Sequence, residues 1–190
     1  MKKETILLVV ISLIVGGLIA VIITNMQSKN AQVAGGGAPP AAPAVNYQQQ
    51  IGMLEGIVAK EPGNRNAWVQ LGHNYFDSDQ PMKAIEAYDK ALELDRFDAN
   101  VLTDQGVMYR RLGWFDKAIK NFEEANKQNP GHQQSLYNLG IVYRYDLQDF
   151  PKAIEVWEKF LAINPGGAGA AQVRAELEVL KKNPIPLQPQ

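Results

Sequence analysis

No cysteine occurs in the 190 residues. That absence excludes disulfides, thiolate metal ligands, a catalytic thiol and a lipid-modified N-terminal cysteine. It leaves the compartment open, because a chain without thiols suits either redox environment. Only two histidines occur, His73 and His132, and neither stands in an HExxH-type metal motif. No Walker loop, GxGxxG fingerprint or GxSxG elbow is present. Nor is one sign of charge in excess: 19 Lys and Arg stand against 20 Asp and Glu, and residues 46–190 hold 16 and 19. Such a balance draws no polyanion. Glu123 and Glu124 are adjacent carboxylates, but such pairs are solvated far more often than catalytic. The expectation is therefore a protein without enzymatic activity and without cofactor or metal.

What is present begins with an uncharged apolar run, "TILLVVISLIVGGLIAVIIT", residues 5–24, behind a four-residue basic N-terminus. About 20 apolar residues at about 1.5 Å each match a bilayer core of about 30 Å. A cleaved signal peptide would have an apolar region of about 7–15 residues ending in small residues. This run is longer and is followed by Asn25, Met26 and Gln27, so a retained transmembrane helix is expected. Lys2 and Lys3 precede it and only Lys29 closely follows. The positive-inside tendency then places residues 1–4 in the cytoplasm and the rest outside, which in a bacterium means a single-pass inner-membrane protein with a periplasmic domain. Ser12, Gly16 and Ala20 share one face of the span. Small residues so spaced permit a helix–helix contact, although glycine is simply frequent in such helices. Residues 25–46, rich in Gly, Ala and Pro, form a linker without an apolar stripe.

Beyond the linker the chain repeats itself. Trp68, Leu102 and Leu136 are 34 apart, as are Gly72, Gly106 and Gly140, and Tyr75, Tyr109 and Tyr143. Ala84, Ala118 and Ala153, and Tyr88, Phe122 and Trp157, follow at 34 and then 35. One residue has therefore been added in the third unit, within "RYDLQDFPK". Apolar residues three and four apart give each unit two helices, the first near 67–76 and the second near 81–94 in the first unit. Asp98 is a plausible N-cap, and Pro81 and Pro151 open second helices. The mid-helix glycines cost about 1 kcal/mol each against alanine. Close packing of the paired helices explains why they are accepted.

The segments "WVQLGHNYF…AIEAYDKAL", "LTDQGVMYR…AIKNFEEAN" and "LYNLGIVYR…AIEVWEKFL" closely resemble the tetratricopeptide repeat family. Departures are Gln105 where Leu is usual, Arg96 where Pro is usual and Phe160 where a small residue is usual. The resemblance implies an all-α solenoid over residues 47–182. Its parts would be a half-unit at 47–64, repeats at 65–98, 99–132 and 133–167, and a capping helix at 170–182. Residues 183–190 form a Pro-rich tail, expected to be disordered.

In that family the first helices line a concave groove. The resemblance assigns to it Asn66, Val69, His73 and Phe76 with Asp77, then Asn100, Thr103, Val107, Arg110 and Arg111. From the third unit come Gln134, Tyr137, Ile141 and Arg144, with Tyr145. The groove so projected has an apolar strip and a basic end formed by Arg110, Arg111 and Arg144, suited to an amphipathic or carboxylate-bearing peptide. The valines and Ile141 have a second reading as packing between repeats. Some family members grip an acidic C-terminus with Lys, Asn and Arg. The corresponding positions here are Val69, His73, Asp104, Gln134 and Asn138, so that clamp is absent.

The stretch "VMYRRLGWF", residues 107–115, interleaves basic and aromatic residues in the manner of a nucleic-acid surface. Tyr109, however, belongs to the repeat signature, and Gly113, Trp114 and Phe115 belong to a turn and the next helix. Arg110 and Arg111 are left as one rim of a peptide groove. Reversing both charges is expected to weaken partner binding and leave the fold intact. The order of parts around "LEGIVAKEPGNRNAWVQLGHNYF" also resembles the anchored repeat proteins of bacterial c-type cytochrome maturation, which hold unfolded apocytochrome. Scaffolding of pilus, secretion or cell-wall assembly fits the same features.

Overall fold

A computed structural model describes residues 46–182. The expected span with Ser12, Gly16 and Ala20, residues 25–45 of the linker and the tail at 183–190 lie outside the described residues. Among the described residues no helix is long and apolar enough to cross a membrane.

Eight helices and no strand occur among the described residues: α1 (Tyr47–Lys60), α2 (Arg65–Asp77), α3 (Pro81–Leu94), α4 (Ala99–Arg111), α5 (Phe115–Gln128), α6 (Gln133–Ile141), α7 (Phe150–Ile163) and α8 (Ala170–Lys182). Their starts follow from local chemistry. Asn64, Asp98 and His132, each 34 residues from the next, cap α2, α4 and α6. Asn64 accepts from the Ala67 amide, Asp98 from the Asn100 and Val101 amides, and His132 from the Ser135 amide. Each side chain thereby satisfies amides that the first turn leaves unpaired. The Asn64 cap is why α2 begins two residues before the apolar spacing indicates. Pro81 stands first in α3 and Pro151 second in α7, where a missing N–H costs little.

Each repeat is held by a ring laid against a glycine. Tyr88, Phe122 and Trp157 are almost wholly buried and face Gly72, Gly106 and Gly140. A Cβ added at Gly106 would lie 2.6 Å from Phe122 Cε1, and one at Gly72 or Gly140 would overlap the facing ring still more closely. The close approach expected from the mid-helix glycines is thus observed. Around these contacts Ala84, Ala118 and Ala153 are fully buried. Val107 and Tyr109 pack against both the N-terminal and the C-terminal apolar cluster, making one continuous core.

The departures from the repeat pattern have local explanations. Gln105 is buried, and its amide donates to Asp89 Oδ1 at 2.8 Å and the Ile85 carbonyl at 3.3 Å. Its carbonyl accepts from Asn121 at 2.7 Å. A fully bonded amide can replace a buried leucine without an orphaned group. Phe160 is buried with its ring 5.7 Å from that of Tyr137. The added residue of the third unit is absorbed by a π turn, Val142–Asp146, that prolongs α6. Asp79, Gly113 and Gln148 all have positive φ, at 55°, 75° and 55°. They are the same turn residue in three repeats, separated by 34 and then 35, so the extra residue lies before Gln148.

The first helices touch one another, α2 with α4 and α4 with α6, while no comparable contact joins α3, α5 and α7. A stack whose first helices meet and whose second helices splay bends toward the first helices. That side, carrying α2, α4 and α6, is the inner face.

Candidate partner-binding face

The inner face carries an apolar strip that the core only half consumes. Val69, Phe76, Val107, Tyr137 and Ile141 are all half-buried, each resting on the core with one side. Packing between repeats and presentation to a partner are therefore shared by the same residues. Near Tyr137 the strip opens into a hollow of 490 Å³ between α6 and α8, bordered by Gln134, Asn138, Phe160 and Gln172. The Tyr137 hydroxyl donates to Gln172 Oε1 at 3.0 Å. Asn66, Asn100 and Gln134 are exposed along the edge. Thr103 is a correction: it is 1% exposed, its hydroxyl donating to the Ala99 carbonyl at 2.7 Å. It faces the interior and offers nothing to a partner.

The arginines are the larger correction. Arg110 donates from Nε and Nη2 to the two oxygens of Asp146, the second bond at 3.0 Å. Such two-pronged contacts are the strongest an arginine makes with a carboxylate. Asp146 stands in the π turn, within the stretch that carries the added residue, so the insertion supplies the partner of Arg110. Arg144 reaches Glu176 of α8 at 3.1 Å and lies over the rings of Phe150 and Tyr145. Arg111 meets Asp79 at 3.2 Å and lies 4.8 Å over the Phe76 ring. Arg65 is joined likewise to Asp98 at 2.5 Å. Arg110, Arg111 and Arg144 thus tie neighbouring units of the stack together, and Arg65 reaches the residue that caps α4. The projected basic rim is a set of neutralised inter-repeat ties.

The histidines lie at two further junctions. His73 Nε2 is 3.2 Å from Asp104 Oδ2 across the α2–α4 contact. Its hydrogen bond to Asp104 raises its pKa, outweighing the lowering by burial. His132 accepts the Ser135 amide on Nδ1, so its Nε2 carries the proton and donates to Asn100 Oδ1 at 3.0 Å. Burial lowers its pKa, and Asp104 and Asp98 offset only part of this. Among the described residues no group of three or more His, Asp or Glu could hold a metal.

Comparison with known proteins agrees with this geometry. Two family models, both described as tetratricopeptide repeat, match residues 66–98 and 103–168. Together they span just over half of the chain, which belongs to the tetratricopeptide repeat family. Over 136 residues it is 31% identical to the Photosystem I assembly protein Ycf3 of Prochlorococcus marinus, covering 60% of this chain and 79% of that protein. Over 97 residues it is 35% identical to the Protein O-mannosyl-transferase TMTC3 of Homo sapiens, covering 50% of this chain but only 10% of that protein. Among solved structures, MamA superposes with a TM-score of 0.67 at 27% identity, covering 72% of this chain and 80% of that one. YrrB, described as a TPR protein with an unusual peptide-binding site, gives 0.63 at 26% identity, covering 68% and 66%.

Proposed function

We infer that this protein is a non-enzymatic scaffold, anchored in a bacterial inner membrane by residues 5–24, whose periplasmic repeats hold a segment of a partner protein. The observation that carries the reading is the half-exposed strip Val69, Phe76, Val107, Tyr137 and Ile141 on the inner face. Such a strip, continuous across three repeats and rimmed by polar side chains, suits an extended or helical segment with apolar residues on one side. The peptide-binding site named for YrrB and the assembly role named for Ycf3 belong to those proteins. Both support a holding role for the same fold here. Within that class, holding apocytochrome c during its maturation is the reading drawn from the order of parts. Pilus, secretion or cell-wall assembly is its rival.

The test is affinity capture of the full chain from its native membranes, beside a Val107→Asp variant whose charge interrupts the strip. Recovery of apocytochromes with haem-ligation proteins supports maturation, and recovery of pilus or wall proteins supports the rival. Partners retained equally by the folded variant would remove the inner face from the function. Protease protection of the repeats in intact spheroplasts would overturn the periplasmic placement.

A further inference from the structure

The last helix of the array starts late. α2, α4 and α6 begin 34 residues apart, at Arg65, Ala99 and Gln133, whereas α8 begins at Ala170, 37 after α6. One of the three extra residues is the one absorbed by the π turn. The other two lengthen the turn before α8, residues 164–169, to six residues where the turns before α2, α4 and α6 have four. The 490 Å³ hollow lies at this late start, between the beginning of α6 and the beginning of α8. The long turn is one of its walls, and the fold holds that wall in place. Arg174 donates to the Pro165 carbonyl at 2.5 Å, and the Asn164 side chain to the Ala168 carbonyl at 3.5 Å. Gly169, with a φ of 78°, rests on Tyr137, where a Cβ would come within 3.0 Å of the ring.

No charged residue borders this hollow. The hollow over Trp68 and Tyr75, by contrast, is ringed by Glu55, Lys83, Glu86 and Lys90. Here Tyr137 and Phe160 supply apolar surface, and Gln133, Gln134, Asn138 and Gln172 supply four side-chain amides. Gln172 accepts from the Tyr137 hydroxyl. The amides of Gln133, Gln134 and Asn138 make no hydrogen bond to another described residue. An amide both donates and accepts, so these groups match the alternating N–H and C=O of an extended main chain. Tyr137 belongs to both the hollow and the apolar strip, so the hollow continues the strip toward α8.

We propose that this hollow seats one uncharged, apolar side chain of the bound partner, while the α6 amides grip the partner's main chain beside it. This rests on the reading of the inner face as a partner groove. Apolar surface with a few placed polar groups is what ligand pockets of about 300–1,000 Å³ use. An apolar side chain leaves water for Tyr137 and Phe160 at no electrostatic cost. A lysine or glutamate seated there gives up hydration and meets no opposite charge in return, so both signs are rejected alike. A wall already fixed by the turn at 164–169 needs no ordering when the partner arrives. The anchor is thus a neutral residue of an extended segment, in contrast to the carboxylate-bearing peptide that the arginines alone suggest.

The experiment uses the full chain in detergent micelles and three fluorescent peptides, about a dozen residues long. They alternate Leu and Ser, are blocked at both ends, and differ only at one central position held as Leu, Lys or Glu. Anisotropy should show the Leu peptide binding about tenfold tighter than either charged peptide, with Lys and Glu alike. Ala168→Leu, at an exposed position bordering the hollow, fills it and should bring the ratio to about one. Gln134→Ala with Asn138→Ala, which breaks no hydrogen bond of the fold, should weaken the Leu peptide about tenfold. A ratio unmoved by Ala168→Leu or Leu binding unmoved by the amide pair, in variants that melt like the parent, overturns the proposal. So does a preference for either charge over Leu. The groove reading survives those results if Val107→Asp still weakens all three peptides. Failure of all three to bind, or binding indifferent to Val107→Asp, overturns both.

Discussion

At Gly106 a single hydrogen stands between two helices. A methyl there would come within 2.6 Å of a ring carbon of Phe122, well inside the 3.5–4.0 Å at which carbon atoms pack comfortably. Gly106→Ala gains about 1 kcal/mol of helix propensity and loses about 1–3 kcal/mol to overpacking. Phe122 is fully buried and has no solvent to swing into. A net loss of up to about 2 kcal/mol in urea denaturation is expected. Adding Phe122→Leu should cost less than in the parent, because the two positions share one space. The arginines separate by their surroundings in the same way. Asp146 is 17% exposed and Asp79 is 85% exposed. Arg110→Glu therefore sets two carboxylates together in a half-dry site and should lower stability by about 1–3 kcal/mol, between the exposed and buried limits for breaking a pair. Arg111→Glu should change it by less than about 0.5 kcal/mol. Thermal melts of the two single variants check this. Equal loss in both would mean that burial does not set the strength of the ties. No loss in either would restore the expectation that both charges can be reversed without harm to the fold.

Among the elements, the π turn at Val142–Asp146 ties an irregularity of sequence to a contact between repeats. Deleting Asp146 restores the 34-residue period, lets α6 run on as regular helix to the turn at Gln148, and takes away the carboxylate that Arg110 grips. Helical content should hold and stability should fall. Arg110→Ala should then cost nothing further in the deletion background, although it is destabilising in the parent. Equal losses in both backgrounds would show that Asp146 is not the partner that matters. The repeat itself is legible from spacing, because Gly72, Gly106 and Gly140 and their rings Tyr88, Phe122 and Trp157 must recur wherever two helices approach so closely. The Asp98 cap is legible for a similar reason, since its chemistry is local. The fate of the added residue is not legible: a turn or a widened helix could each absorb it, and spacing alone does not choose. The partners of the arginines depend on that choice, so Arg110 and Arg144 read as free groove charges until Asp146 and Glu176 are placed. Thr103 misleads by direction. Its place on the helix wheel lies between the strip and the core, and its hydroxyl disappears into a bond to its own helix.

On the scale of the whole array, stability is close to a sum over neighbouring units and the faces between them, and two of its junctions titrate in opposite senses. His73 joins α2 to α4, and its bond to Asp104 raises its pKa above the ordinary value of about 6.5. Its contribution is complete below that ordinary value and is lost as pH rises through the folded value. His132 joins the turn before α6 to Asn100 on α4, and burial lowers its pKa. Its contribution is complete above the ordinary value and is lost as pH falls through the folded one. Protonation also removes the Nδ1 lone pair that caps α6. Together the two histidines place a stability maximum near pH 6.5, with a separate residue responsible for each flank. Urea midpoints measured between pH 5 and 8 should therefore trace a shallow dome. His73→Gln should flatten its alkaline side, and Asp104→Asn should flatten the same side by removing the acceptor. His132→Asn keeps a capping side chain while abolishing titration, and should flatten only the acid side. If His73→Gln instead altered the acid side, the Asp104 contact would not be what holds the proton on His73, and the α2–α4 junction would owe its strength to packing alone.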